Sequence, residues 1–389
     1  NVFASAQHIN RDSYYGGGQD PNAYGNTTDL NWMAGSQYVY SFGKCIFMPA
    51  DLTAGIEFNQ DKLEDNMWGY HRTVDQKVNI GSAFFQNEWK NEHWGFLIGG
   101  RLDKHNLIDH VIFSPRANLR YNPTENINLR FSYSSGFRAP QAFDEDLHVE
   151  NVGGNVAMVE LADNLKEERS QSLSASADIY HRFGAFQVNF LVEGFYTKLS
   201  DVFALTDGEV VDGILTRTRY NAPGARVMGL TLEGKMAYLT KFQLQAGVTL
   251  QQSHYSEPHV WNPDAPAVKK MMRTPNTYGY FTATYTPIKP LSIALSGTYT
   301  GSMLVPHEPV PGFLEKPITV NTKDFFDIGL KAAYDFKLYK SMNLQVNAGV
   351  QNIFNAYQND FDKGADRDSG YIYGPSLPRS FFAGVKISY

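Results

Sequence analysis

Long apolar runs are missing from this chain of 389 residues. No stretch approaches the roughly 18 consecutive apolar residues of a membrane-spanning helix, which excludes a helical membrane protein. Cysteine occurs once, at Cys45, without a Cys or His partner at metal-ligand spacing, so we assign it only a structural role near a turn. The net charge of -6 is spread along the chain, and nucleic acid is therefore not an expected partner.

Linkers, leader segments and catalytic motifs are also absent from the sequence. No composition shift or Ser/Pro-rich stretch divides the chain, so one domain over residues 1–389 is predicted. Residues Asn1 to Ala4 lack the charged and apolar parts of an export signal, which is expected to have been removed or to lie outside this sequence. Since no nucleophile elbow, zinc-protease helix or phosphate-binding loop is found, we predict neither an enzyme nor a bound cofactor.

The sequence does contain many segments in which apolar and polar residues alternate. Side chains of a strand point alternately to two faces, so a strand between lipid and water alternates in this way. In residues 126–134, Ile127, Leu129, Phe131 and Tyr133 alternate with Asn, Arg and Ser, and the pattern returns at 186–196, 242–251, 291–300 and 343–351. One such strand would also fit a soluble sandwich, but the recurrence favours a wall with one apolar and one polar face.

The connections between these segments alternate in length. Short turns are predicted at 121–125, 182–185, 239–241, 286–289 and 337–341, and long loops at 138–168, 201–223, 255–272, 303–322 and 355–377. Short turns on one rim and long loops on the other are typical of bacterial outer-membrane barrels. We therefore predict an all-β, transmembrane antiparallel β-barrel with about 16 strands in this chain, the turns lying on the rim that holds the C-terminus.

The C-terminus and the aromatic residues support this prediction. Phe381, Ile387 and Tyr389 belong to an alternating tail that ends on an aromatic residue. Such a tail is similar to the signal by which outer-membrane barrels are recognised for assembly, so we take these three as assembly-signal residues. Aromatic side chains also gather near strand ends, as Trp89 and Trp94 do around one turn, where amphipathic rings meet the lipid interface.

Four motifs together resemble the TonB-dependent receptor family. Residues Leu129 to Gln141 contain the Gly-Phe-Arg-Ala-Pro run with which a barrel strand of the family enters a large extracellular loop. Residues Leu161 to Glu168 are similar to the family's Asn-Pro-Asn-Leu-Lys-Pro-Glu box, which closes that loop. Asn347 to Asn355 and Pro378 to Tyr389 resemble its penultimate and final strands. The box has Asp and Glu where the family usually has its two prolines.

The resemblance implies an outer-membrane protein that imports a scarce, bulky nutrient. The family's barrel has about 22 strands around a plug domain, and both the plug and the first strands are absent from this sequence, so we interpret the chain as the C-terminal barrel portion of a longer receptor. The implied partners are outer-membrane lipid and the energising TonB-ExbB-ExbD complex, reached through the missing N-terminal region. A surface lipoprotein is a further partner that the resemblance allows.

The long loops are expected to bind the ligand through aromatic rings and interspersed cations, which suit a large planar or catecholate-like molecule. The candidate ligand-binding residues are Tyr14, Tyr15, Trp68, Tyr70, Arg72, Arg138, His148, Met303, His307, Tyr371 and Tyr373. Packing within the loops is the competing interpretation of each. The aspartates at 360, 362, 366 and 368 lack EF-hand spacing, so we expect solvated charges there and no calcium or other metal site.

The ligand itself stays open between an iron chelate (siderophore), haem and cobalamin. His148 is the only histidine between Pro140 and Asp163, the interval in which haem-importing members of the resembled family place an iron-ligating histidine. A passive porin would share the strands and loops but not the four motifs. A membrane-embedded hydrolase or adhesin would need a cluster of Ser, His and Asp on the rim that the sequence does not supply.

Overall fold

The fold was determined as a computed structural model, which describes residues 1–14, 24–68, 72–140, 157–206, 209–211, 214–339, 341–364, 367–368, 370–375 and 377–389. These residues form strands and their connections, and no helix among them is long and apolar enough to cross a membrane. The strands, in chain order, are β1 (Val2–Tyr14), β2 (Tyr24–Cys45), β3 (Met48–Met67), β4 (Arg72–Lys90), β5 (Trp94–His105), β6 (Ile112–Thr124), β7 (Ile127–Arg138), β8 (Ala157–Leu161), β9 (Glu168–Phe183), β10 (Phe186–Ser200), β11 (Val202–Leu205), β12 (Glu209–Val211), β13 (Ile214–Ala222), β14 (Ala225–Tyr238), β15 (Phe242–His259), β16 (Val268–Lys270), β17 (Thr277–Ile288), β18 (Leu291–Thr300), β19 (Leu304–His307), β20 (Ile318–Asn321), β21 (Phe325–Tyr339), β22 (Met342–Gln351) and β23 (Ser380–Ser388).

One antiparallel sheet of 17 strands makes up the wall. Apart from the three-residue β16, each of its strands pairs with the next wall strand along the chain, as β2 does with β3, β7 with β9 and β22 with β23. This leaves sixteen consecutive long strands in the part of the chain that the structure describes, which agrees with the predicted number of about 16. The other strands form a four-stranded and a two-stranded sheet within long loops.

The two ends of the wall differ as the sequence predicts. At one end, the turn rim, short turns join the strands, as between Thr124 and Ile127. The opposite end is the loop rim, where Arg138 pairs with Glu168 across the mouth of a long loop. Ser388 pairs with Asn343, next to the turn between β21 and β22. The C-terminus therefore lies on the turn rim, and the prediction of the topology is confirmed.

The wall has one apolar and one polar face because its strands alternate. In β23 the side chains of Phe381, Val385 and Ile387 are 79%, 68% and 64% exposed on one face, while Lys386 of the same strand points to the other. Exposed apolar side chains recur on the first face around the wall, for example at Tyr38 in β2. A face of this kind is suited to lipid, and the opposite one to a watery or plugged lumen.

Aromatic rings cluster along the turn rim. Trp94 stacks on Tyr121 with ring centres 4.2 Å apart, and Phe47 stacks on Trp89 at 5.6 Å. The indole N–H of Trp89 donates to the carbonyl oxygen of Cys45 at 2.9 Å, which places the single cysteine at the β2–β3 turn as predicted. Amphipathic rings in such a row are expected at the membrane interface.

Candidate functional site

The loops of the loop rim carry structure of their own. Two long loops, 139–167 and 201–224, together build a four-stranded sheet in which β13 pairs antiparallel with β11 and β12 and parallel with β8. We call these two loops the first loop group. A parallel pair cannot close through a tight turn, so β8 and β13 meet only because the wall strands between them bring the two loops together.

The family-like box at 161–168 fastens this sheet to the wall. The amide side chain of Asn221 in β13 donates to the carbonyl oxygen of Lys166 at 3.0 Å, and its oxygen accepts from the Lys166 N–H at 2.8 Å. The Glu168 carboxylate accepts from the N–H of Phe203 in β11 at 3.0 Å. The box therefore ties both loops to the start of β9.

Glu167 in the same box joins the first loop group to the loop between β5 and β6. Its carboxylate lies 2.6 Å from the Arg169 guanidinium and 3.1 Å from Nε2 of His110. Burial acts to raise the pKa of Glu167, but hydrogen bonds from a backbone N–H, Arg169 and His110 outweigh it and lower the pKa. Where the family usually has proline, this chain has an ionised anchor.

A second pair of loops, 301–324 and 352–379, packs into a separate unit, the second loop group. Its core consists of Met303, Val305 and Tyr371, all at least nine-tenths buried, with Val320 and Tyr373 packed against them. The β19–β20 hairpin supplies one side of this core and the last long loop the other. Apolar burial of this kind helps to hold the two loops together, and Tyr373 also contacts Phe325 of wall strand β21 with ring centres 6.0 Å apart.

Carboxylates form hydrogen bonds with the polar side chains inside the second loop group. His307 is 5% exposed, stacks on Tyr371 with ring centres 3.8 Å apart, and has Nε2 2.9 Å from Asp362. The Tyr373 hydroxyl donates to both oxygens of Asp360, at 2.6 and 2.7 Å. Burial first, and then the hydrogen bond and the charge of Asp360, raise the pKa of Tyr373. The phenol is therefore neutral at physiological pH.

The loop between β15 and β17 connects the second loop group to its surroundings. Arg273 has a left-handed φ of 56°, a conformation that is strained for any residue except glycine. Its backbone N–H donates to the carbonyl oxygen of Leu304 at 2.7 Å. Its guanidinium donates to the carbonyl oxygens of Gly370 and Ile372. Asn262 of the same loop donates to Glu308 at 2.8 Å. The hydrogen bonds of Arg273 offset the strain of its backbone conformation.

A cavity of about 450 Å³ lies between the first loop group and this connecting loop. Its first wall is basic and aromatic, and its second wall is aromatic with one acidic residue, Glu257. The side chains that define the two walls are Arg138, Phe203, Arg217, Arg219 and Tyr220 on one side and Tyr255, His259 and Trp261 on the other. A cavity that combines aromatic area with a few convergent charged groups is the default candidate for a ligand site.

The arginines of the first wall gather around one ring. The guanidinium carbons of Arg138 and Arg219 lie 5.6 and 5.7 Å from the centre of the Phe203 ring, within the range of a cation–π contact. Arg219 is only 4% exposed. The arginine side of the cavity is thus a cationic surface built on an aromatic base.

The second wall presents neutral rings. Tyr255 and His259 contact each other with ring centres 4.8 Å apart. Burial lowers the pKa of His259, so its imidazole is neutral near pH 7. The indole nitrogen of Trp261 is buried without a hydrogen-bond partner among the described residues. This wall offers stacking area and one N–H donor, and it also carries the carboxylate of Glu257.

The predicted ligand-binding residues are therefore scattered. Arg138 lies in the cavity. Tyr14 and Trp68 are exposed elsewhere on the loop rim, where Tyr14 contacts Tyr24 at 5.0 Å. Arg72 begins β4. Tyr15, Tyr70 and His148 lie outside the described residues.

Four further candidates fall in the second loop group, where packing explains them. Met303, His307 and Tyr371 are buried, and the Tyr373 hydroxyl is occupied by Asp360. In this structure they contact each other rather than the space above the loops.

The expectation that the aspartates of this loop are solvated charges is wrong for two of them. The Asp362 side chain is 4% exposed and Asp368 is 8% exposed. Asp368 accepts from the backbone N–H of Glu308 at 2.9 Å, and Asp362 accepts from the N–H of Asp368 at 3.2 Å. These carboxylates are buried because they satisfy loop N–H groups and His307.

Most cavity residues were not singled out by the sequence. The alternation Thr216-Arg-Thr-Arg-Tyr220 does place Arg217 and Arg219 on one face of a strand, and that signal was available. No local pattern shows that Arg138 would join them or that Trp261 would lie opposite, because those residues come from other parts of the chain.

Comparison with known proteins agrees with this architecture. The family described as TonB dependent receptor-like, beta-barrel matches residues 2–353. No curated protein matches the chain by sequence.

Solved structures share the fold at low identity. The siderophore receptor PirA from Acinetobacter baumannii has a TM-score of 0.71 at 15% identity, with 99% of this chain and 59% of that chain covered. A ferric enterobactin receptor mutant (PfeA) from Pseudomonas aeruginosa, in complex with enterobactin, has a TM-score of 0.69 at 18% identity and coverages of 99% and 59%. The ferric-catecholate import receptor Fiu from K12 E. coli has a TM-score of 0.66 at 15% identity and coverages of 99% and 60%.

The chain spans about three-fifths of the length of these solved structures. Because the family match extends over most of its length, the chain is identified by family rather than by any single neighbour. Its neighbours are transport receptors and not enzymes, and barrels of this family lie in the outer membrane of Gram-negative bacteria. The chain belongs to the TonB-dependent receptor family, and residues 2–353 match the β-barrel of that family.

Proposed function

We propose that this barrel belongs to a receptor that imports a ferric siderophore of the anionic, aromatic type across the outer membrane. The observation that carries the proposal is the cavity between the first loop group and the β15–β17 loop. It sets Arg138 and Arg219 opposite the neutral rings of Tyr255, His259 and Trp261. Such a ligand would enter from the loop rim and leave toward the turn rim.

The chemistry of the cavity suits a catecholate-type chelate. Guanidinium groups donate in a planar fork to paired anionic oxygens, and they stay charged at every physiological pH. Aromatic rings stack on the flat faces of the same ligand. Two of the similar structures are described as receptors for ferric enterobactin and for ferric catecholates, which supports this class of ligand without assigning it.

Transport requires energy from outside the barrel. We propose that a plug domain upstream of residue 1 closes the lumen, and that the TonB-ExbB-ExbD complex acts on that region to release the ligand. The polar face of the wall would line the path. The barrel supplies the binding surface and the channel, and no bond is made or broken in it.

Haem and cobalamin are the competing ligands. A haem would present two carboxylates to the arginines, and the neutral imidazole of His259 in the cavity wall is an observation in its favour. Because a half-buried imidazole in contact with the Tyr255 ring has limited freedom to reach iron, we place haem second.

The test is direct binding to the full-length receptor, with ferric enterobactin as the probe and tryptophan fluorescence as the signal. Arg219→Gln should weaken binding about 10- to 100-fold, because a hydrogen bond to a charged group contributes about 1.5–3 kcal/mol. Arg182→Gln is the matched control, since Arg182 lies at the turn rim and bonds only the Gly184 carbonyl oxygen among the described residues. Equal binding by wild type and Arg219→Gln would contradict the proposal, as would tighter binding of haem than of ferric enterobactin.

A further inference from the structure

Phe203 occupies a special position on the first wall of the cavity. In β11 the side chains of Val202 and Ala204 are nine-tenths buried, whereas Phe203 and Leu205 alternate to the other face. Phe203 is among the residues that line the cavity. The other three residues of β11 line the cavity as well, but it is the Phe203 ring that both arginines lie over.

The register of the loop sheet explains how Arg219 reaches this ring. Phe203 pairs with Asn221 in β13, so Arg219 is its diagonal neighbour on the same face. Diagonal neighbours are within reach when one side chain is aromatic and the other long. Arg138 comes from a different element, the end of wall strand β7, and meets the ring from there.

One carboxylate links the two elements. Glu168 pairs with Arg138 in the wall and accepts the backbone N–H of Phe203 at 3.0 Å. The ring is thus attached to the same point of the wall from which Arg138 extends. Since β11 has only four residues, this bond determines where the ring lies relative to both guanidinium groups.

An aromatic ring does what an aliphatic side chain of similar size cannot. Two guanidinium groups near one another repel, while the negative face of a ring attracts both. A ring also restricts the rotamers of long side chains packed against it, which lowers the entropy that ligand binding must remove. Leucine would fill much of the same space but would lack the ring's electrostatic attraction.

We propose that Phe203 is a positioning residue, which acts through Arg138 and Arg219 and sets both guanidinium groups for the anionic oxygens of the ligand. The inference rests on the proposed function for its ligand and on the structure for its geometry. It assigns to the ring of β11 a part in affinity that does not require the ring to touch the ligand.

The experiment measures binding of ferric enterobactin to four full-length proteins: wild type, Phe203→Leu, Phe203→Tyr and Arg219→Gln. The two Phe203 variants are also measured in the Arg219→Gln background. Phe203→Leu should weaken binding about tenfold, as expected for the loss of two cation–π contacts. Phe203→Tyr keeps the ring and should bind within about twofold of wild type. In the Arg219→Gln background, Phe203→Leu should reduce the affinity by clearly less than tenfold, because the two residues act together.

A ligand-free measurement separates this inference from the proposed function. Crystal structures of wild type and Phe203→Leu without ligand should show both guanidinium groups displaced in the variant. Unchanged guanidinium positions, or equal effects of Phe203→Leu in the two backgrounds, would overturn the positioning role even if ferric enterobactin binds. Absence of binding by wild type would instead contradict the proposed function, and displaced guanidinium groups would still support the positioning role. Heat-modifiable mobility on gels confirms that each variant is a folded barrel.

Discussion

The two loop groups contain similar residues and use them differently. Both combine aromatic rings with basic side chains, but in the second loop group His307 and Tyr373 face the carboxylates of Asp362 and Asp360 and are covered. In the first loop group, Arg138 and Arg219 gather on the Phe203 ring beside a cavity. The second group is therefore closed around its own core, whereas the first borders the cavity that we propose as the ligand site. Composition alone does not separate these arrangements, because they depend on contacts between residues from distant parts of the chain.

The largest expected effect lies in the wall that both loop groups share. Tyr389→Asp should reduce the yield of folded barrel severalfold, because the exposed terminal aromatic at the turn rim would be replaced by a carboxylate near lipid. The measurement is heat-modifiable mobility of the full-length protein in outer-membrane fractions, with Tyr389→Phe as the control. Normal yield of Tyr389→Asp would show that Phe381, Ile387 and Tyr389 are not an assembly signal.

Opening the core of the second loop group should come next in size. Tyr371→Ala removes a side chain that is 3% exposed and stacked on His307, at a cost of about 3–5 kcal/mol. Hydrogen exchange should quicken in residues 301–324 and 352–379, while the first loop group stays protected. The exposed Tyr14→Ala is the control. If the first loop group lost protection equally, the two groups would form one unit and would not be separately stable.

The two groups should respond to pH in opposite directions. The pKa of Glu167 is lowered, so its contribution to the first group is present above about 4.3, the pKa of the unfolded chain, and is lost as pH falls through the folded value. The pKa of Tyr373 is raised, so the second group keeps its stability below about 10 and loses it as pH rises further. Limited proteolysis should cut the first group earlier in acid and the second earlier in base. Cleavage of both groups in the same order at both extremes would contradict these assignments.

The smallest expected effect concerns His148, which lies outside the described residues. It belongs to loop 139–167 of the first loop group, and haem ligation by it would make an imidazole, rather than the cavity arginines, the main contact of the ligand. We expect the same Soret spectrum and the same haem affinity for wild type and His148→Ala in the full-length protein. A band that shifts in wild type and disappears in the variant would establish haem ligation instead.

The wall could be predicted from the sequence because its signals are local. Alternation in residues 126–134 is enough to predict β7, and the turn predicted at 121–125 overlaps the observed connection between Thr124 and Ile127. The tail of β23 likewise shows its apolar face within nine residues. Each such signal comes from neighbours along the chain, so no knowledge of the fold is needed.

The candidate site could not be predicted in the same way. Its first wall depends on β8 pairing with β13, and the residues involved are separated by an entire wall hairpin. Arg138 was correctly expected on the loop rim, but its neighbour Phe203 comes from another loop. Met303 and His307 were expected to meet a ligand, yet Tyr371 covers them from a loop more than fifty residues away. Contacts between distant loops leave no periodic signal.

We propose that the cavity between the first loop group and the β15–β17 loop binds the transported ligand, and a structure of the full-length receptor with ferric enterobactin would show whether it does. We expect the ligand's anionic oxygens within hydrogen-bond distance of the Arg138 and Arg219 guanidinium groups, with an aromatic face against Trp261 or Tyr255. A ligand seated on the second loop group, with the cavity empty, would contradict it.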